Sequence, residues 1–211
     1  MRKILLFDMD GTLTDSMPVF SRIVLGVMKE DGARIPDGII RRMSPMALDE
    51  FLDLMMELGC KGDRDSLIPR LDMRAAYANE VPLKPGVEAF LKRMKEEGHR
   101  LFVLTGSPHA NADPCLMHNG VFSLFDRVYN TGDFGMSKHT PEIYHALCRR
   151  EGFTPADVTF FDDNLGALTA ARQAGMEVIG VADDADAEDE GAIRALADGY
   201  VESFGDRDKN P

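Results

Sequence analysis

The hydrophobic pattern changes character twice along the chain. It opens with Ile4-Leu5-Leu6-Phe7, an apolar run without polar alternation, which predicts a strand buried on both faces. From Ser16 to about Val81 the spacing becomes helical. Val19, Phe20, Ile23, Val24, Val27 and Met28 form a stripe that Ser16 would cap and Gly32 would end. Ser44 and Pro45 introduce a second stripe of Leu48, Phe51, Leu52, Met55 and Met56, stopped by Gly59. A third helix is expected from Asp65 to Asn79. Val81-Pro82-Leu83-Lys84-Pro85-Gly86 reads as a return linker, with Pro85 opening a helix whose stripe is Val87, Phe90, Leu91 and Met94.

After Gly98, strands and helices alternate. Strands are expected at Leu101 to Leu104, Arg127 to Tyr129, Val158 to Phe161 and Glu177 to Val181, with Tyr200-Val201 as an edge. The intervening helices are His109 to Asn119, Pro141 to Arg150, Leu165 to Ala174 and Glu188 to Ala197. Such alternation implies right-handed crossovers and a parallel sheet covered on both faces. The fold class is therefore α/β, a Rossmann-like doubly wound parallel sheet core (residues 1–15 and 84–211) with an inserted all-helical domain (residues 16–83).

The chemistry sits where strands end. Asp8 and Asp10 follow the first strand, with Gly11 next, at the carboxyl edge where open α/β sheets bind ligands. Two carboxylates ~4 Å apart repel by about 4 kcal/mol at an effective dielectric near 20. Such a pair holds a proton or a cation, or else it is an acidic turn capping the next helix. Thr105-Gly106-Ser107-Pro108 ends the second core strand, and its hydroxyls and free N–H groups suit phosphate oxygens or, read locally, a helix cap at Ser107. Lys138 precedes a helix N-terminus, where a cation opposes the dipole and so needs an anionic partner. Asp162-Asp163-Asn164 ends another buried strand, and adjacent buried acids are costly without a partner.

Asp8-Met9-Asp10-Gly11-Thr12-Leu13-Thr14-Asp15-Ser16 resembles the first motif of the haloacid dehalogenase superfamily. Thr105, Lys138 and the Asp162-Asp163 pair resemble its second, third and fourth motifs, in the expected order. His139 stands where the third motif usually has proline, a departure expected to loosen that turn. The resemblance implies a helical cap over the core and a phosphatase-type hydrolase. It makes Asp8 the nucleophile, Asp10 the general acid/base, and Thr105, Gly106 and Lys138 the phosphate holders. It further implies Mg²⁺ on Asp8, the Asp10 carbonyl and Asp163, with Asp162 a second or water-mediated ligand. The substrate class is a small phosphorylated metabolite, with Arg41 and Arg42 of the cap as candidates for a second anionic group. Sugar phosphomutase activity is the main alternative; a metal-free dehalogenase is disfavoured by Asp10, and a non-catalytic phospho-ligand sensor by the retained residues.

Composition narrows this further. A hydrophobic content of 44% with 28% charged residues is that of an ordinary soluble globular chain. No apolar run is long enough to span a bilayer or to act as a signal peptide, so a cytoplasmic location is expected. The net charge is −12, and from Asp157 onward 14 acids face 4 bases, which places −10 of it in the last quarter of the chain. That argues against nucleic acid as a partner. It also requires a local positive pocket for any phosphate ester. The acidic run Asp183 to Glu190 reads as solvated, and Gly205 to Pro211 as fraying. Cys60, Cys115 and Cys148 read as reduced structural thiols. A monomer or weak homodimer is expected.

Overall fold

Six parallel strands form one sheet in the order β3-β2-β1-β4-β5-β6: β1 is Ile4–Phe7, β2 Arg100–Thr105, β3 Arg127–Asn130, β4 Val158–Asp162, β5 Glu177–Val181 and β6 Gly199–Val201. The computed structural model describes residues 3–43, 46, 48–184 and 187–205. The order reverses beside β1, so β1 lies centrally between β2 and β4, in register Phe7↔Val103 and Phe7↔Phe161. Alternate residues of β1 serve opposite faces. Leu5 and Phe7 enter one apolar cluster, where Phe7 stacks on Phe161 with ring centroids 4.7 Å apart. Leu6 enters the other, with Phe102, Leu104 and Phe160. This double burial explains the continuous apolar runs.

The helices of the core are α6 (Val87–Glu96), α7 (His109–His118), α8 (Pro141–Glu151), α9 (Leu165–Gln173) and α10 (Glu190–Leu196). Between β1 and α6 lie α1 (Met17–Asp31), α2 (Ile39–Met43), α3 (Leu48–Glu57), α4 (Arg64–Leu67) and α5 (Arg74–Asn79). α1 to α4 share an apolar cluster of their own, which includes Met28, Met43, Leu52, Met55 and Leu67. Ala76 and Tyr77 of α5, with Val19 of α1, instead join the cluster beneath the sheet.

Three local expectations change, and a fourth is not tested. The helix expected over residues 65–79 is broken into α4, a 3₁₀ turn at Ile68–Leu71 and α5, because Pro69 supplies no amide donor and Asp72 turns back to accept from the Arg74 N–H at 3.0 Å. Ser16 makes no capping bond, and its hydroxyl is buried. Leu48, expected on the buried stripe, is 59% exposed at the first turn of α3, and Leu54 is buried. Ser44 and Pro45, read as opening that helix, lie outside the described residues.

The two connections to the helical insert run side by side. Asp15 donates its N–H to Pro82 at 3.0 Å, Lys84 donates to Leu13 at 2.9 Å, and Thr14 bridges Leu83 antiparallel. Asn119, just past α7, fixes the returning strand: its Nδ2 donates to the Val81 carbonyl at 2.9 Å and its Oδ1 accepts from Leu83 N at 3.2 Å.

Candidate active site

Because β1, β2 and β4 are neighbours in register, their last residues meet at one edge of the sheet. Asp8 follows β1 and donates its N–H to Phe161 at 2.9 Å, which holds the turn against β4. Asp8, Asp162 and Asp163 are all buried, and one carboxylate oxygen from each lies within 4.8 Å of the others. Lys138 reaches in from the segment before α8, with Nζ 2.7 Å from Asp8 Oδ1 and 2.9 Å from Asp162 Oδ2. The backbone behind it is pinned, since Tyr144 of α8 donates its hydroxyl to the Lys138 carbonyl at 2.8 Å.

Charge in this cluster is unbalanced: three buried acids face one amine. Burial pushes the Asp8 carboxyl up, Lys138 pulls it back, and Asp162 and Asp10 push it up again, leaving it at about 7. Burial, then Asp162 and Asp8, raise Asp163 well above the carboxylate range, against a Thr12 hydrogen bond of 2.6 Å that lowers it. For Lys138 burial favours the neutral amine, but Asp162 and Asp8 outweigh it and hold the ammonium well above its usual value. Asp8 Oδ1 is buried against the Lys138 ammonium as an ion pair. An oxygen-only donor set of this kind, short of positive charge, fits a hard divalent cation.

The individual oxygens are not equivalent. Both oxygens of Asp162 are engaged, Oδ1 by Asn164 N at 2.8 Å and Oδ2 by Lys138. Asp163 Oδ1 accepts from Thr12, while its Oδ2 faces Gly11. Gly11 has φ +81°, and a Cβ there would lie 2.3 Å from Asp163 Oδ2. The glycine is thus required twice, by its backbone conformation and by the carboxylate against it.

The Asp10 side chain is held by hydroxyls. Its Oδ1 accepts from the Tyr77 hydroxyl at 2.8 Å, and its Oδ2 from Ser107 at 2.7 Å and Thr105 at 3.3 Å. Thr105 is fully buried and also accepts from Ser107 N at 3.0 Å. Ser107 therefore serves Asp10 rather than a helix cap, and Pro108 occupies the cap position of α7. Gly106 is exposed, with open space where a side chain would stand.

Other sequence candidates are placed elsewhere. Arg41 pairs with Glu188 and with Asp189, the latter at 3.2 Å, so its charge is spent on the acidic segment after β5. Arg42 is exposed at the end of α2. The acidic run is not simply solvated: Asp183 pairs with Lys84 at 2.7 Å with its side chain 6% exposed. Asp186 and residues 206–211 lie outside the described residues. The His139 turn is not loose, since His139 N donates to Ser137 Oγ at 3.1 Å, a bond that proline could not make. His109 sits between Asp113 at 3.1 Å and Asp133 at 3.0 Å. The Cys115 thiol is fully buried and pushed up to about 12, first by burial and then by Asp10, which fits a structural role.

Residues 2–175 match the family model described as haloacid dehalogenase-like hydrolase. The chain belongs to this family. Among similar members, a phosphoglycolate phosphatase from Haemophilus influenzae is 26% identical over 190 residues, covering 85% of each chain. A phosphorylated carbohydrates phosphatase from Thermotoga maritima is 27% identical over 177 residues, covering 82% of each. The fold is shared with the crystal structure of CbbY from Rhodobacter sphaeroides in complex with phosphate, with a TM-score of 0.80 at 23% identity, covering 97% of this chain and 96% of that one. Sequence reasoning on this member missed Thr12 and Tyr77. Thr12 lies inside the first motif and could have been suspected. Tyr77 carried no signal beyond being a hydroxylated aromatic in an apolar helix.

Proposed function

We propose that the protein is a Mg²⁺-dependent phosphatase that hydrolyses a small phosphorylated metabolite through an aspartyl-phosphate on Asp8. The observation that carries this reading is the buried group of Asp8, Asp162 and Asp163 with Lys138 among them. Asp8, Asp163 and the Asp10 carbonyl would hold the ion directly. Asp162, with both oxygens already engaged, would act through water and through Lys138. When bound, the cation supplies charge neutralisation for the phosphoryl oxygens and for the acids.

An Asp8 carboxylate oxygen attacks phosphorus, and the bond from phosphorus to the ester oxygen breaks. Asp10 gives its proton to that leaving oxygen. Water then attacks the aspartyl-phosphate, Asp10 takes its proton, and the bond between phosphorus and Asp8 breaks to release phosphate. Lys138 and the Thr105 hydroxyl, with the Gly106 N–H, steady the phosphoryl oxygens, so positioning and charge supply most of the acceleration. The named phosphatases among the relatives support this class of reaction. The proposed catalytic core is residues 1–15 and 84–211 and the proposed cap residues 16–83, in a cytoplasmic monomer or weak homodimer.

The test is release of phosphate from p-nitrophenyl phosphate and from a panel of phosphorylated metabolites, with Mg²⁺ and with EDTA. Asp8→Asn should abolish Mg²⁺-dependent release. An active Asp8→Asn protein would remove Asp8 from the nucleophile role, and phosphoryl return to a sugar without free phosphate would make the enzyme a mutase.

A further inference from the structure

Two hydroxyls of the second motif are within reach of Asp10, but a third comes from an unrelated part of the chain. Tyr77 lies in α5, 67 residues from Asp10 in sequence, is 3% exposed, and donates to Asp10 Oδ1 at 2.8 Å. Its mounting is firm. α5 packs along α7, Tyr77 shares the apolar cluster beneath the sheet, and Asn119 at the end of α7 fastens the chain just after α5. Phenylalanine would satisfy the apolar packing, so the hydroxyl is there for its polar partners: it donates to Asp10, with the Ser107 and Ser16 hydroxyls beside it. Ser107 takes the opposite oxygen at 2.7 Å. A hydrogen bond on each oxygen fixes both side-chain torsions of Asp10, which an acid on a turn would otherwise explore.

We propose that Tyr77 is a positioning residue for the proton-transfer step: its hydroxyl, with that of Ser107, holds the Asp10 carboxyl in the orientation from which its proton reaches the leaving oxygen. Tyr77 itself exchanges no proton. The inference rests on Asp10 being the acid/base, as assigned above, and it adds a residue from the helical insert to the machinery of the core.

The experiment compares kcat/KM of the full-length protein with Mg²⁺ on two aryl esters. The p-nitrophenolate of p-nitrophenyl phosphate leaves without a proton; the basic phenolate of phenyl phosphate needs one. Tyr77→Phe should lower kcat/KM for phenyl phosphate about five- to tenfold and for p-nitrophenyl phosphate by less than about twofold. Ser107→Ala should show the same asymmetry, and it carries the comparison if Tyr77→Phe fails to fold by circular dichroism. Asp10→Asn should lose about a hundredfold or more on phenyl phosphate and far less on p-nitrophenyl phosphate. Equal losses for Asp10→Asn on both esters would refute the acid/base assignment and the Tyr77 role with it. An asymmetric Asp10→Asn together with equal losses, or none, in the folded Tyr77→Phe or Ser107→Ala protein overturns the Tyr77 role alone.

Discussion

Removing the proposed nucleophile should make the metal-free protein more stable. Asp8 is 5% exposed, and its carboxyl is held at about 7 even with Lys138 beside it. In the unfolded chain the same group titrates near 3.8. A folded-state value above the unfolded one means that the native protein binds the extra proton, so stability is full below the unfolded value and falls as pH rises toward the folded one. Above about pH 7 the cost levels off at roughly 4 kcal/mol, from about 1.4 kcal/mol per pH unit across the gap. Asparagine keeps the shape and discards the titration. In EDTA near pH 8, Asp8→Asn should therefore unfold at a higher temperature than the wild type, by on the order of 10 °C at ~2–4 °C per kcal/mol for a domain of this size. The difference should shrink toward zero near pH 4. Millimolar Mg²⁺ should narrow it at pH 8, because binding favours the native ionised cluster of the wild type. Thermal melts by calorimetry or circular dichroism across pH 4–8 measure all of this. An Asp8→Asn protein that melts at or below the wild-type temperature at pH 8 in EDTA would refute the picture of an over-acidic site short of a cation.

Other consequences can be checked singly. Gly11→Ala places a methyl group into Asp163 Oδ2 at a backbone φ of +81°, and should weaken Mg²⁺ affinity at least tenfold by titration calorimetry while costing about 1–2 kcal/mol of stability. Lys138→Met leaves the ionised acids without their amine and should lower kcat/KM by about a hundredfold or more in phosphate-release assays. His109, raised first by its hydrogen bond to Asp113 and also by Asp133, should titrate above 6.5 by NMR; its charge favours the fold at low pH and that benefit fades as pH rises through the raised value. Asn119→Ala frees the returning linker at Val81 and Leu83 and should cost about 1–3 kcal/mol in urea melts.

The sheet was readable because a strand buried on both faces leaves an unbroken apolar run, and because the runs of β1, β2 and β4 stop at polar residues that the structure gathers at one edge. Asp8 and Asp162 meet, and Thr105 reaches Asp10, for that reason, because β1 lies in register between β2 and β4. Legibility failed where the outcome depended on distant partners. Arg41 looks like any surface cation in sequence, but it meets Glu188, which lies 147 residues away. Ser16 had the right residue type for a cap, yet its hydroxyl is buried beside Tyr77 and caps nothing. Pro69 was visible inside an otherwise helical pattern, and the cost of its missing donor decided against the longer helix. Tyr77 was hidden because its periodicity is that of an ordinary apolar position, and only the third dimension reveals that its oxygen points at an acid.

The side-by-side pairing of the outgoing and returning connections has a bearing on how such an enzyme could be rebuilt. The chain departs from the sheet and rejoins it at a single spot, so the length of what lies between places no tension on the strands. Yet Val19, Ala76, Tyr77 and Val81, near the two ends of that excursion, are packed into the foundation beneath the sheet. A transplanted helical insert would have to begin after Val19 and stop before Ala76, leaving the roots behind while only the crown is exchanged.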